Sequence, residues 1–301
     1  MLGDAGPRRL PATAVATAVL LLSAALTACS SGPPSLQWVK VWGANFTGAA
    51  GSELNPRDWI YDTGQGIFGT GEVETMTDSP ANVYLDGHGD LAITILGTGG
   101  HWTSARVQTR REFAPTAGDE LMVTASIKQP DPSTALGYWP AFWMYSTETW
   151  PEHGEIDIME DVNGLSQHSG TMHCGNLSTK NADGTTGPCH EYTGLTSGLQ
   201  PCPGCQTGYH DYSVIIDRRH PSDEQIRWYL DGKEFFSVSE STVGAAVWTE
   251  AVDHGFSIIL DVALGGSYPD NACHCSAPES ATTSGGTMSV RSLAVYNGVT
   301  G

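Results

Sequence analysis

Basic residues are scarce in this chain. Across 301 residues there are 14 Lys and Arg against 33 Asp and Glu, a formal charge of −19. A surface of that sign repels nucleic acid, anionic membrane and acidic polysaccharides, which leaves a neutral partner as the best fit. Helical periodicity is missing too: past the first thirty or so residues, no segment sustains a 3.6-residue apolar repeat over a dozen positions. No linker, internal repeat or charge block marks a boundary after residue 37, so the remainder reads as one large domain. Hydrophobic residues make up 40% of the chain, enough for a true core and against global disorder.

What is present instead is a series of short alternating or β-branched segments between turn signals. They include "DLAITIL", "ELMVTASIK", "EIDIME", "HDYSVIID", "QIRWYLD", "KEFFSVS", "FSIILDVAL" and "MSVRSLAVYN". "YLDGKEFF" has Asp-Gly between two strand-like runs, a hairpin signal. Many strands without alternating helices predict an all-β antiparallel sandwich, and at this length a jelly roll.

The N-terminal segment has the layout of a secretory signal. Arg8 and Arg9 precede the apolar run "ATAVATAVLLLSAALTAC", which ends in small residues. The run is shorter than the ~20 residues a membrane span needs. "LTAC" is similar to a bacterial lipobox, which makes Cys29 the expected lipidation site. Residues 1–28 are then a lipoprotein signal peptide, 29–36 a flexible tether and 37–301 the folded domain; an ordinary cleaved signal followed by an incidental Cys29 is the alternative. The expected location is extracytoplasmic, at the cell surface or secreted, with membrane contact only through the anchor. Setting Cys29 apart from the seven cysteines leaves Cys174, Cys189, Cys202, Cys205, Cys273 and Cys275. An even count in an exported chain points to disulfides, with local pairing (174–189, 202–205, 273–275) the expectation among several connectivities. A zinc site built from "CPGC" and "CHC" is the rival.

The chemistry concentrates in "HGEIDIMED" (153–161). Alternation along a strand puts Glu155 and Asp157 on one face, with Ile156 and Ile158 on the other. Continued regularly, it would bury Glu160 in the core, at high cost for a charged group. One extra residue at 158–159, a β-bulge, returns Glu160 to the face of the other acids. Three adjacent acids repel, so structure alone does not explain them, whereas glycoside hydrolysis requires a pair of carboxyl groups flanking the scissile bond. The competing reading is a solvated strand face or a calcium-binding edge. Against it stand Trp139, Trp143 and Trp150, which precede the acids and offer rings for stacking on sugars. Trp143 also suits a core position. Of the other conspicuous residues, Trp228 is expected in the core, His210 as a packed histidine and His274 in a loop. Trp102 fits either a rim platform or an exposed loop.

"GYWPAFWM" (137–144) followed by "WPEHGEIDIME" (150–160) resembles the catalytic region of glycoside hydrolase family 16, in its laminarinase-like branch of endo-β-1,3-glucanases. Supporting matches run through residues 59–94, 103–110, 170–173, 209–232 and 256–266. The resemblance implies two curved antiparallel sheets with a concave glycan cleft and retention of anomeric configuration. It implies Glu155 as nucleophile, Asp157 as assisting carboxylate and Glu160 as general acid/base. Trp139 and Trp150 would line the subsites beside the cleavage point, Arg106 would face the cleft and His173 would lie near the acid/base. The implied protein is a monomer acting on a neutral β-1,3-glucan without a cofactor. Alternatives are hydrolysis or transglycosylation of another β-glycan, such as mixed-linkage glucan or galactan, and a non-catalytic glycan-binding module. Three departures stand out. Asp261 occupies a position that is often Asn in the family. Arg291 lies where many members have an Asp that helps to hold a structural calcium, which argues against the ion. In "IFGTGE", Thr70 or Gly71 replaces a sugar-contacting amide.

Overall fold

The computed structural model describes residues 1–3, 36–66, 69–146 and 148–300. The expected leader beyond residue 3, Cys29 and the tether as far as residue 35 lie outside the described residues. Leu36–Gly301 forms one compact unit.

Two eight-stranded sheets make up the jelly roll. The outer sheet runs in the order Lys233–Ser239, Gln225–Leu230, His210–Asp217, Glu120–Lys128, Thr287–Thr300, Leu91–Thr94 and Val83–Leu85, with Leu36–Ala44 also paired to Thr287–Thr300. The inner sheet runs Leu195–Thr196, Gln167–His173, Glu155–Glu160, Tyr138–Tyr145, Ser257–Leu264, Arg106–Thr109 and Trp59–Asp62, with Gln200–Pro201 against Gln167–His173. All pairings within these two sheets are antiparallel. A small third sheet contains one parallel pair, Thr75–Met76 with His101–Ser104. Every strand-like segment read from the sequence forms a strand, and the Asp-Gly hairpin has Asp231 and Gly232 at φ 49° and 74°, as a type I′ turn requires. Short helices at Glu240–Val243, Ala245–Val252 and Ser267–Cys273 were not legible in the sequence. At eight residues or fewer they are too short to show a helical repeat.

The sheets close on an apolar core that includes Phe142, Ile156, Ile158, Met159, Met172, Tyr212 and Trp228, all fully buried. Trp228 is core, as expected, and also reaches across the sandwich. Its indole N–H donates to the carbonyl of Asp157 at 2.8 Å. The ring lies against Gly170, where a Cβ would meet Trp228 Cδ1 at 2.5 Å. Burial of a large ring and satisfaction of a buried carbonyl thus coincide beneath the acidic strand.

The cysteines pair locally, Cys174–Cys189, Cys202–Cys205 and Cys273–Cys275. His210 is hydrogen-bonded to Asp231 at 2.8 Å, and His274 takes the left-handed cap after Ser267–Cys273. Trp102 is neither a cleft rim nor an exposed loop residue. It lies in strand His101–Ser104, half-buried against the core. Arg291 stacks over the Tyr209 ring at 3.7 Å and has Nε 3.5 Å from Asp90.

Trp228→Phe keeps an aromatic ring but leaves the Asp157 carbonyl without this donor. The expected cost is about 1–3 kcal/mol, measured as a lower urea midpoint with unchanged m-value. An unchanged midpoint would show that the cross-sheet bond contributes nothing.

Candidate active site

The expected bulge is present. Against strand Tyr138–Tyr145, Phe142 pairs with Met159 and Trp143 with Asp157, leaving Ile158 without a partner in the register. On the other side, Asp157 pairs with Thr171 and Glu160 with Ser169, so three steps on one strand oppose two on the other. Ile158 and Met159 both enter the core, and Glu160 emerges on the face of Glu155 and Asp157. All three line one cleft of about 390 Å³ with Arg106, Trp139, Trp143, Trp150 and Asp261. Alternation along Tyr138–Tyr145 supplies much of the floor: Trp139, Ala141, Trp143 and Tyr145 face the cleft, while Tyr138, Phe142 and Met144 are core.

Each aromatic or basic residue expected at the site has a definite partner. Trp139 Nε1–H donates to Glu160 Oε1 at 2.8 Å, and its ring meets Tyr268 edge-on at 5.6 Å. Trp143 is cleft floor more than core: it is 9% exposed, and its indole N–H donates to Asp261 Oδ1 at 2.7 Å. The Arg106 guanidinium lies 4.6 Å over the Trp143 ring and its Nε is 3.0 Å from Asp62. Trp150 packs against His173, ring centroids 5.6 Å apart, and stacks nearly parallel to Tyr192 at 5.7 Å. His173 Nε2 is 3.5 Å from Asp157 and 3.9 Å from Glu155, while Nδ1 is 2.7 Å from Glu191. Gly69 and Thr70 reach the cleft wall. The Thr70 amide and hydroxyl both donate to Glu72 Oε2, at 3.0 and 2.7 Å.

Sequence reasoning missed Tyr145, Glu191, Tyr192 and Tyr268. Tyr145 was legible, because it continues the every-second-residue series from Trp139. Glu191 and Tyr192 come from a segment outside the regular strands, and Tyr268 from a helix too short to show a repeat.

Three acids in one cleft cannot all ionise freely. Burial first, then the charge of Asp157, raises Glu160 well above the usual carboxylate range, and the Trp139 N–H offsets only part of this. The same two causes push Glu155 up to about 8; His173 pulls both glutamates the other way, and Arg106 adds to that pull at Glu155. Burial alone would depress His173; hydrogen bonds to Asp157 and Glu191 overcome it and hold the imidazole well above its ordinary value. Positive charge therefore sits at the Glu155 and Asp157 end, and an indole donor at the Glu160 end. This is a site that can keep one carboxyl protonated while charge gathers at the other. His173, Glu155 and Asp157 also place one ligand atom each within 4.8 Å of one another.

The sequence profile of XgeA-like catalytic domains of glycoside hydrolase family 16 matches residues 93–208. An endo-1,3-beta-glucanase from Streptomyces sioyaensis of known structure is similar at 42% identity and TM-score 0.80, over 88% of this chain and 98% of that one. A beta-glucanase from Rhodothermus marinus is 29% identical over 77% of each chain. Glucan endo-1,3-beta-glucosidase A1 from Niallia circulans is 28% identical over 76% of this chain, which spans only 34% of that longer protein.

Asp261, 3% exposed, is raised from 3.8 to about 7 by burial, against the pull of Arg106 and the Trp143 N–H. Between those two values the folded chain keeps a proton that the unfolded chain has released, so this group's contribution to stability falls as pH rises. Asp261→Asn keeps an acceptor for Trp143 and removes the titration. The variant should therefore gain stability over the native chain at pH 8 by more than at pH 4 in urea unfolding. A gain equal at both values, or larger at pH 4, would contradict the assignment.

Proposed function

The chain belongs to glycoside hydrolase family 16, and on that premise we propose that it hydrolyses internal β-1,3 bonds of a neutral β-glucan with retention at the anomeric carbon. The observation that carries this reading is the bulged strand, which aligns Glu155, Asp157 and Glu160 on one cleft face.

In the first step a carboxylate oxygen of Glu155 bonds to the anomeric carbon as the glycosidic C–O bond breaks. The proton of Glu160 passes to the leaving oxygen. Glu160, now ionised, takes a proton from water, whose oxygen displaces Glu155 and regenerates the starting enzyme. Asp157 lies between the two glutamates and bears on both, while His173 and Arg106 offset the negative charge at the nucleophile end. The high affinity of Glu160 for its proton suits the acid role, and burial concentrates these electrostatic effects. Trp139 ties the acid in place, while Trp143, Trp150 and Tyr192 offer ring faces to sugar.

The assignment of Cys29 as a lipid anchor belongs to the same proposal. It is supported by the lipobox-like "LTAC" and by disulfides suited to an oxidising compartment. No helix among the described residues is long and apolar enough to cross a membrane.

A panel of neutral glucans tests the reading. Cleavage should favour β-1,3 linkages, give oligosaccharides from the start of the reaction and release the β anomer first, as followed by NMR. Glu155→Gln should leave at most about a few per cent of turnover, and Glu160→Gln should lower kcat about a hundredfold or more, each with an unfolding midpoint no lower than the native one. First release of the α anomer, or a Glu155→Gln variant with substantial activity, would overturn the proposal.

A further inference from the structure

His173 is the last residue of strand Gln167–His173, and the chain then enters a loop closed by the Cys174–Cys189 disulfide. Two residues past the disulfide, Glu191 comes back beside the start of the loop. Its carboxyl is wholly buried and spans two adjacent residues: Oε1 accepts the Cys174 N–H at 3.0 Å and Oε2 meets His173 Nδ1 at 2.7 Å. The backbone of Glu191 is itself fixed by reciprocal bonds to Thr186, at 2.7 and 3.1 Å. The loop also encloses the His173 ring. Trp150 covers one side, and Gly194 approaches so closely that a Cβ there would lie 3.0 Å from His173 Cε1 and 2.4 Å from Thr171 Cγ2. The only ionisable groups against the ring are Glu191 from the loop and Glu155 and Asp157 from the acidic strand, among the described residues.

A buried carboxyl could serve only to hold the loop, and the Cys174 contact does that. The second oxygen does something else. By accepting from Nδ1 it leaves Nε2 directed at Asp157 and Glu155, and it stabilises the doubly protonated ring. We propose that Glu191 is a positioning residue for catalysis: through Nδ1 it keeps His173 an imidazolium whose Nε2–H faces the nucleophile and its assisting acid.

This rests on Glu155 being the nucleophile, and the sign of one shift separates it from a structural role. Glu191 acts on Glu155 in two opposed ways. Its own negative charge raises the Glu155 pKa, while the imidazolium it supports lowers it, and the nearer imidazolium has the larger effect. Glu191→Gln retains the shape and the Cys174 contact but loses the charge. If His173 depends on Glu191, the ring loses its extra proton and the acid limb of kcat/KM moves up by about one pH unit, so that activity on that limb falls about tenfold. If Glu191 acts only by its own charge, the limb moves down.

The experiment pairs this pH profile with 15N NMR of the His173 ring, assigned by difference from His173→Gln. The expected results are a doubly protonated ring at pH 7 in the native enzyme, titration at a pH at least about one unit lower in Glu191→Gln, and an upward shift of the acid limb. A neutral ring in the native enzyme overturns the proposal even if the variant fails to fold. So does a folded Glu191→Gln whose His173 titration is unchanged, or whose acid limb stays or moves down. An inactive Glu155→Gln alongside any of these leaves the catalytic assignment standing. An active Glu155→Gln removes that assignment, while the NMR still reports on His173.

Discussion

One unpaired residue in a strand decides what this molecule presents to its surroundings. Without the bulge at Ile158, strict alternation would send Glu160 into an apolar core and Met159 to the cleft. With it, two consecutive apolar side chains enter the core and the acid returns to the side of Glu155. The irregularity is held from both sides of the sandwich. Neighbouring strands absorb the register shift, and the Trp228 indole crosses the core to the Asp157 carbonyl. The same tryptophan requires Gly170 beneath it, so packing of the outer sheet and alignment of the acids are parts of one arrangement.

From that alignment the electrostatics follow. Gathering three carboxyls in a largely buried cleft raises Glu155 and Glu160 through desolvation and mutual repulsion. The chain does not neutralise them evenly. His173 and Arg106 lie at the end nearer Glu155, and the Trp139 N–H at the end nearer Glu160. Two glutamates of identical chemistry thereby stand in different surroundings, one beside cations and one beside an indole donor, which is the kind of asymmetry that double displacement uses. Asp261, buried and bonded to Trp143, extends the acidic row along the cleft lining.

The strands, their alternation and even the bulge were legible because each follows from a period of two and the cost of burying charge. Glu155, Asp157 and Glu160 could be placed by counting along a strand, whereas Trp143 suited core and cleft alike. Arg106, Trp139, Trp150 and His173 were placed by resemblance to a family; the first three line the cleft, but His173 lies against Glu155 and Asp157, at the nucleophile end, where that likeness had put it near the acid/base. Glu191, Tyr192 and Tyr268 were not legible. Their positions depend on a disulfide-closed loop and a short helix that fold back over the cleft, and local sequence carries no measure of where such segments land. The cysteine count did announce the loop, but not that it would deliver a carboxyl to His173.

Distinct roles for the two glutamates can be read most directly with an external nucleophile. In Glu160→Ala acting on an aryl glucoside of good leaving ability, azide should restore turnover and give the β-glycosyl azide, because Glu155 still forms the covalent intermediate. In Glu155→Ala it should give the α-azide by single displacement. Products with the opposite configurations, or no rescue of either variant, would contradict the account.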